Sequence, residues 1–152
     1  MHLLAENGTY VQSVTNESGQ ATFSKLGFAP SAVFIAHDHY VSSCSECPET
    51  EVMINLIQRE NTGSLVAFRG WQSLKAVSGS VSFIHDSQGR LYLYTQNMSV
   101  DGGHREPISI EPGMPIRLVT ADGARATLVI KAVHGASFLV DVTHEAAATL
   151  PQ

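Results

Sequence analysis

Apolar and polar residues alternate in short segments along much of the chain, which is the pattern of β-strands with one buried face. Turn-forming residues separate these segments at intervals of about 8–12 residues, a spacing typical of a sandwich or small barrel. In the second half the predicted strands are 64–68, 81–85, 90–95, 107–110, 115–120, 126–131 and 137–142. The pattern predicts an all-β fold.

Three turns in this half have clear sequence signals. Asp122-Gly123 joins two alternating segments and predicts a tight hairpin. The run 86–89, Asp-Ser-Gln-Gly, ends in glycine as type I turns prefer. We expect the Asp86 side chain to cap backbone N–H groups of that turn. His134-Gly135 predicts a third turn before the last strand.

The first sixty residues follow a different pattern. Residues 32–36 are apolar at every position, which predicts a strand covered on both faces. Segments 9–14 and 20–26 alternate on either side of a run of turn-forming residues, so we expect two more strands there. Segment 41–50, rich in Ser, Cys, Pro and Glu, predicts a loop. Segment 51–58 is interpreted as a strand, with a short helix as the alternative.

These patterns divide the chain into two regions and a tail. We expect a β-sandwich over 1–60 and a small SH3-like or barrel-like β region over 61–145, the latter packed against the former as one unit in an alternative interpretation. Residues 146–152 are interpreted as a tail. The SH3-like interpretation is an analogy of strand succession and carries little functional weight.

Charge narrows the classes of partner. Of 152 residues, 15% are charged and the formal net charge is −5, whereas an average soluble domain is about 25% charged. This argues against a nucleic-acid binder and against docking to an anionic membrane. Strand surfaces with so little charge are poorly protected against pairing with another chain. We therefore expect a protein or carbohydrate partner, or self-association into a homo-oligomer.

The first residues do not resemble an export signal. Residues 1–8 lack a cationic start followed by an apolar stretch. There is no run of 18 apolar residues, so membrane insertion is not expected. Three alternatives stay open: a cytoplasmic protein, a protein exported without an N-terminal signal, or a fragment of a larger protein.

Residues about 8–58 resemble a known family. The segment 14–26, VTNESGQATFSKL, and the later segment 33–40, VFIAHDHY, are similar to the carboxypeptidase-regulatory or transthyretin-like β-sandwich domain. In that comparison Gly19 allows the hairpin turn and Phe23 fills the sandwich core. The resemblance implies an accessory module without catalysis.

The closest grouping of metal-ligating residue types is His37-x-His39-x4-Cys44-x2-Cys47. Imidazole and thiolate are the ligands that zinc favours, and four of them would complete a tetrahedral site. Four ligands within eleven residues form a cramped site, however, so the alternative is two histidines at a strand end beside a polar loop. In an exported protein, Cys44 and Cys47 form a local disulfide in a further alternative.

His85 extends the metal hypothesis to a second arrangement. Together with His37 and His39 it would give a three-histidine site if the two halves of the chain face each other. The simpler interpretation is that the neighbouring Asp86 opens a turn.

Nucleophilic catalysis has little support in the sequence. There is no Gly-x-Ser-x-Gly motif. The acidic residues Glu46, Glu49 and Glu51 fall in one segment, which is typical of a solvated loop. No catalytic residue and no cofactor is predicted, and zinc bound by the histidines and cysteines above is the alternative.

Three aromatic residues are candidates for binding. Trp71 lies between two predicted strands, and Tyr92 and Tyr94 alternate with Leu91 and Leu93. Exposed aromatic side chains on a strand face often bind sugars or proteins. The alternative is that Trp71 fills the core and the tyrosines cover the mouth of a barrel.

The sequence thus favours a non-catalytic binding or accessory module that recognises a protein or carbohydrate. The first alternative is a metal-dependent enzyme that uses the histidines or cysteines above. The second is a structural component of a surface or secretion assembly that associates through its edge strands.

Overall fold

A computed structural model describes residues 1–24, 26–46, 56–74, 77–100, 103 and 107–145. This part of the chain folds into thirteen β-strands and contains no helix, so the predicted all-β class is confirmed. The strands are β1 His2–Leu4, β2 Tyr10–Gln12, β3 Ala32–His37, β4 Tyr40–Glu46, β5 Thr62–Ala67, β6 Gln72–Ser73, β7 Ser80–His85, β8 Leu91–Gln96, β9 Met98–Val100, β10 Ile108–Ile110, β11 Pro115–Thr120, β12 Arg125–His134 and β13 Ser137–Glu145.

The strands form three sheets, in which each neighbouring pair is antiparallel. The N-terminal sheet has the order β2-β1-β3-β4, the outer sheet β10-β8-β7-β6 and the central sheet β5-β13-β12-β11-β9. Within the described residues all three sheets are open at both edges, so 61–145 forms two sheets and not a closed barrel. The division of the chain at residue 60 stays a prediction.

The central sheet is buried on both faces, which β13 shows most clearly. Its residues Phe138, Val140 and Val142 belong to the main hydrophobic core shared with the outer sheet. The ring of Phe138 stacks on that of Phe83, with 5.3 Å between the centroids. Leu139 points the other way, into a second cluster shared with the N-terminal sheet. Alternating side chains of one strand therefore join three layers.

The apolar segment 32–36 becomes β3, and its predicted burial on both faces is confirmed. Phe34 packs towards the central sheet, whereas Val33 and Ile35 lie in a third cluster on the opposite face. Phe23 and Leu26 pack against that third cluster. They do so from a segment without strand pairing at 20–24 and 26, so the predicted strand over 20–26 is wrong. A spacing of apolar residues that suits a strand suits a covering loop equally well.

The predicted loop over 41–50 is also wrong where the structure describes it. β4 runs from Tyr40 to Glu46 and pairs with β3 along its length. The buried carboxylate of Asp141 accepts a hydrogen bond from the Ser42 backbone N–H at 2.8 Å. Small polar residues are compatible with this strand because it forms the edge of its sheet. Residues 51–55 of the predicted strand or helix over 51–58 lie outside the described residues.

The predicted hairpin turns are confirmed. Asp86 Oδ1 accepts hydrogen bonds from the backbone N–H groups of Gln88 (2.8 Å) and Arg90 (2.9 Å). Desolvation raises the pKa of Asp86, but these bonds and the Arg90 guanidinium together outweigh it, so the pKa is lowered. The turn at Asp122-Gly123 joins β11 to β12, with Gly123 at a φ of +86°. The Ala124 backbone N–H donates to Asp122 Oδ1 at 3.3 Å, so local side-chain hydrogen bonds stabilise both turns.

Two further expectations concern the ends of the chain and membranes. The predicted tail over 146–152 lies outside the described residues. Among the described residues, the search for a helix long and apolar enough to cross a bilayer finds none.

Candidate functional site

A groove lies between two sheet edges, where β5 of the central sheet faces β6 of the outer sheet. Its volume is about 640 Å³. Leu65, Val66, Leu74 and Val142 give it an apolar part. The polar part comes from the β3–β4 turn, from residues 58–62 and from the end of β13. A concave site with an apolar surface and a few convergent polar groups is the usual form of a small-molecule site.

One wall of the groove is the β3–β4 turn, which carries Asp38 and His39. The turn is held on β5 by Ser64, whose Oγ accepts a hydrogen bond from the His37 backbone N–H at 2.9 Å. The same Oγ lies 2.9 Å from the carbonyl oxygen of Tyr40. Gly63 allows this close approach, since a Cβ there would lie 2.3 Å from the carbonyl oxygen of Asp38. The position of Asp38 and His39 therefore depends on two small residues of β5.

A second part of the lining is the turn that leads into β5. Thr62 donates its backbone N–H to the Arg59 carbonyl oxygen at 3.1 Å, and its Oγ1 lies 3.0 Å from that of Thr143. Asn61 has a φ of +55°, in the left-handed region that asparagine tolerates better than most residues. The backbone N–H of His144 donates to the Asn61 carbonyl oxygen at 2.8 Å. This rim turn, residues 59–62, is thus fixed to the end of β13.

The ionisable side chains in the groove are of both signs. Arg59 is the cation among the described lining residues, and Asp38 and Glu60 are the carboxylates. His144 lies half-buried beside the rim turn, and its burial lowers the pKa of the imidazole below the usual value of 6.5. Its buried Nδ1 has no hydrogen-bond partner among the described residues. The groove can therefore meet both an anionic group and hydroxyl groups of a ligand.

The structure brings His37 and His39 together but does not complete a set of three metal ligands among the described residues. The rings of His37 and His39 are neighbours at 5.8 Å between centroids, and the His39 backbone N–H donates to His37 Nδ1. His85 instead lies at the end of β7, with its ring 5.3 Å from that of Phe138. Among the described residues, no three His, Cys, Asp or Glu side chains form a group that could hold a metal ion. The three-histidine hypothesis is wrong for these residues.

The structure also shows no metal site at Cys44, the one cysteine among the described residues. Cys44 is exposed on β4 and is not bonded to any described residue, and it forms no metal-binding group with His37 and His39. Cys47 lies outside the described residues, as do Glu49 and Glu51 of the acidic segment. A disulfide between the two cysteines stays a hypothesis.

The predicted aromatic residues lie on or beside the outer sheet, and none of them is among the described lining residues of the groove. Tyr92 and Tyr94 are half-buried on the face opposite to the buried Leu91 and Leu93. Trp71 precedes β6 and is 53% exposed, so the alternative that it fills the core is wrong. No finding tests whether these three residues bind a partner, and that remains a prediction.

The sequence did not predict the residues of the rim turn as part of a site. Arg59, Glu60 and Asn61 fall between two predicted strands, where charged residues are expected to be solvated. The Asn-Thr-Gly run at 61–63 is a signal for an unusual backbone conformation followed by a close approach. His144 gave no signal, because its role depends on the pairing of β13 with β5.

Comparison with known proteins gives one informative match. The chain is 27% identical over 141 residues to the 3′ cyclic ADP-D-ribose synthase AaTIR of Aquimarina amphilecti. The match covers 91% of this chain and 43% of the synthase, so the chain spans less than half of the length of that relative. No family model matches the chain, and no solved structure does. The transthyretin-like resemblance therefore stays a prediction.

The match corrects the functional expectation. We expected a non-catalytic binding module and no enzyme, yet the relative with which this chain shares nearly its whole length is an enzyme. The error has a physical reason. An absence of familiar nucleophile motifs excludes some reaction types, but a site made from scattered turn and strand-end residues has no sequence motif.

Proposed function

We propose that the chain forms part of an enzyme that produces a cyclic ADP-ribose, and that the groove between β5 and β6 binds its nucleotide. The similarity to the synthase across 91% of the chain carries this proposal. At this coverage only about a tenth of the chain lies outside the match.

The size and lining of the groove support a nucleotide ligand. Its volume of about 640 Å³ lies within the range of about 300–1,000 Å³ that is usual for small-molecule sites. Apolar side chains offer a surface for a base, and polar residues of the rim turn offer partners for phosphate and sugar.

The reaction requires a donor in which the ADP-ribosyl unit carries a leaving group. In NAD⁺ that group is nicotinamide, which departs with the electron pair of the bond to the anomeric carbon. A nucleophilic atom of the same ADP-ribosyl unit then bonds to that carbon and releases its proton to solvent. A groove that holds the two ends of the nucleotide close together favours this closure over attack by water.

The test combines a binding and a turnover measurement on the purified 152-residue chain. We expect ADP-ribose to bind, as followed by calorimetry, and NAD⁺ to be converted to nicotinamide and a cyclic ADP-ribose, as followed by chromatography with mass spectrometry. Heat-denatured protein is the control for non-enzymatic breakdown. If the folded chain neither binds ADP-ribose nor releases nicotinamide above that control, the proposal is wrong.

A further inference from the structure

The groove is lined by charged groups of both signs that a nucleotide could contact. Arg59 and Glu60 are consecutive residues of the rim turn, and Asp38 lies on the β3–β4 turn. No ion pair between Arg59 and a carboxylate is seen in the described part of the chain. The guanidinium is therefore available to a ligand, whereas the carboxylates of Asp38 and Glu60 repel phosphate.

The backbone beneath Arg59 and Glu60 is held at several points. The carbonyl oxygen of Arg59 accepts from the Thr62 N–H at 3.1 Å, and that of Glu60 lies 3.3 Å from Thr62 Oγ1. The carbonyl oxygen of Asn61 accepts from His144 at 2.8 Å. A charged side chain on a fixed turn loses less freedom on binding than one on a loose loop, because its backbone is already ordered.

Resting on the proposed function, we propose that Arg59 binds the pyrophosphate of the ADP-ribosyl nucleotide and that Glu60 faces the adjoining ribose. A guanidinium offers paired donors that match phosphate oxygens. A carboxylate accepts hydrogen bonds from hydroxyl groups and repels phosphate. In the nucleotide the pyrophosphate is bonded directly to the ribose, so adjacent residues of opposite charge match adjacent groups of the ligand.

The experiment compares ligands that differ by the pyrophosphate. Calorimetric titrations of the wild-type chain and Arg59→Ala use ADP-ribose, ADP and adenosine. We expect Arg59→Ala to weaken ADP-ribose and ADP by about 10- to 100-fold, the loss typical of a charged hydrogen bond, and to leave adenosine unchanged. Arg59→Lys restores part of the affinity, since a point charge replaces the paired donors.

The matched control is Arg69→Ala. Arg69 is exposed and follows β5, outside the described lining of the groove. We expect this variant to bind all three ligands as the wild type does. Thermal unfolding of each variant verifies that the fold is retained.

Each outcome separates this inference from the proposed function. If the wild type binds ADP-ribose and Arg59→Ala binds it equally well, the inference is wrong and the proposed function stands. If Arg59→Ala weakens adenosine as much as ADP, the effect is structural and the inference is again wrong. If the wild type does not bind ADP-ribose, the inference is wrong, and the proposed function is also wrong if the chain releases no nicotinamide from NAD⁺.

Discussion

Single small residues decide how closely the layers approach at the groove. At Gly63 the backbone of the β3–β4 turn takes the space that a side chain would fill. At Ser64 one hydroxyl group bonds to the same turn. The contacts of these two residues with the β3–β4 turn therefore fix the position of Asp38 and His39 relative to β5.

The substitution Gly63→Ala tests this contact. The added methyl group would lie 2.3 Å from a backbone oxygen, and relieving such an overlap costs about 1–3 kcal/mol of unfolding free energy. Urea denaturation measures the loss. Because the turn must move away, we also expect weaker binding of ADP-ribose.

Gly27→Ala is the control for the change in residue type. A Cβ at Gly27 meets nothing within 4 Å, and Gly27 is not among the glycines with positive φ. We expect it to be nearly neutral. Equal stabilities of the two variants would show that the close approach at Gly63 is absent in solution.

At the scale of elements, the short strand β1 partly buries a histidine, a residue that its sequence gives no reason to expect in the interior. β1 is only three residues long, yet it lies between β2 and β3. Its first residue, His2, has its ring 5.6 Å from that of Phe68 and 6.3 Å from that of Tyr10. Burial and, to a smaller extent, the charged N-terminus lower the pKa of His2 to about 4, although a hydrogen bond with Gln12 opposes the shift.

This shift predicts a loss of stability in acid. The folded state favours neutral His2, so protonation favours the unfolded chain, in which the pKa is 6.5. The contribution of His2 begins to decrease as the pH falls through 6.5 and levels off below about 4. Since the ring is partly exposed, we expect an effect on the order of 1 kcal/mol.

The contribution of His2 to the unfolding free energy is measured by urea denaturation of the wild type and His2→Gln between pH 8 and 3. Carboxylates titrate in the same window in both proteins, so the difference between the two curves isolates His2. His85→Gln, at an exposed position of β7, is the control. A wild-type and His2→Gln difference that does not change with pH would contradict the prediction.

At the scale of the whole molecule, the groove belongs to no single sheet. The central sheet supplies β5 and the end of β13, the N-terminal sheet supplies the β3–β4 turn, and the outer sheet supplies β6. A ligand in the groove would therefore contact all three layers. Whether other copies or other proteins associate with the chain stays a prediction of its low charge.

Contacts with three layers predict that the ligand stabilises the fold. At an ADP-ribose concentration of 100 times the dissociation constant, we expect the free energy of unfolding to increase by about 2.7 kcal/mol. The measurement is the urea midpoint as a function of ADP-ribose concentration. Arg59→Ala should need a higher concentration for the same shift, and a midpoint that does not respond to ADP-ribose would contradict binding to the folded state.

The sequence by itself determined the features that depend on neighbours along the chain. Alternation predicted most strands, Asp86 and Asp122 predicted their turns, and the apolar run at 32–36 predicted a strand buried on both faces. Each is local because a strand face or a turn involves few consecutive residues.

Only the tertiary structure decided which distant residues meet. Residues 40–46 form a strand because they pair with β3. Phe23 packs on the cluster of Leu3, Val33 and Ile35 from a segment without strand pairing. His85 lies beside Phe138 and not beside His37. The tertiary structure also assembled the groove from a turn at 38–39, a turn at 59–62 and the end of β13. Such contacts depend on sheet order and on the approach of whole layers, and these follow from the packing of the entire chain.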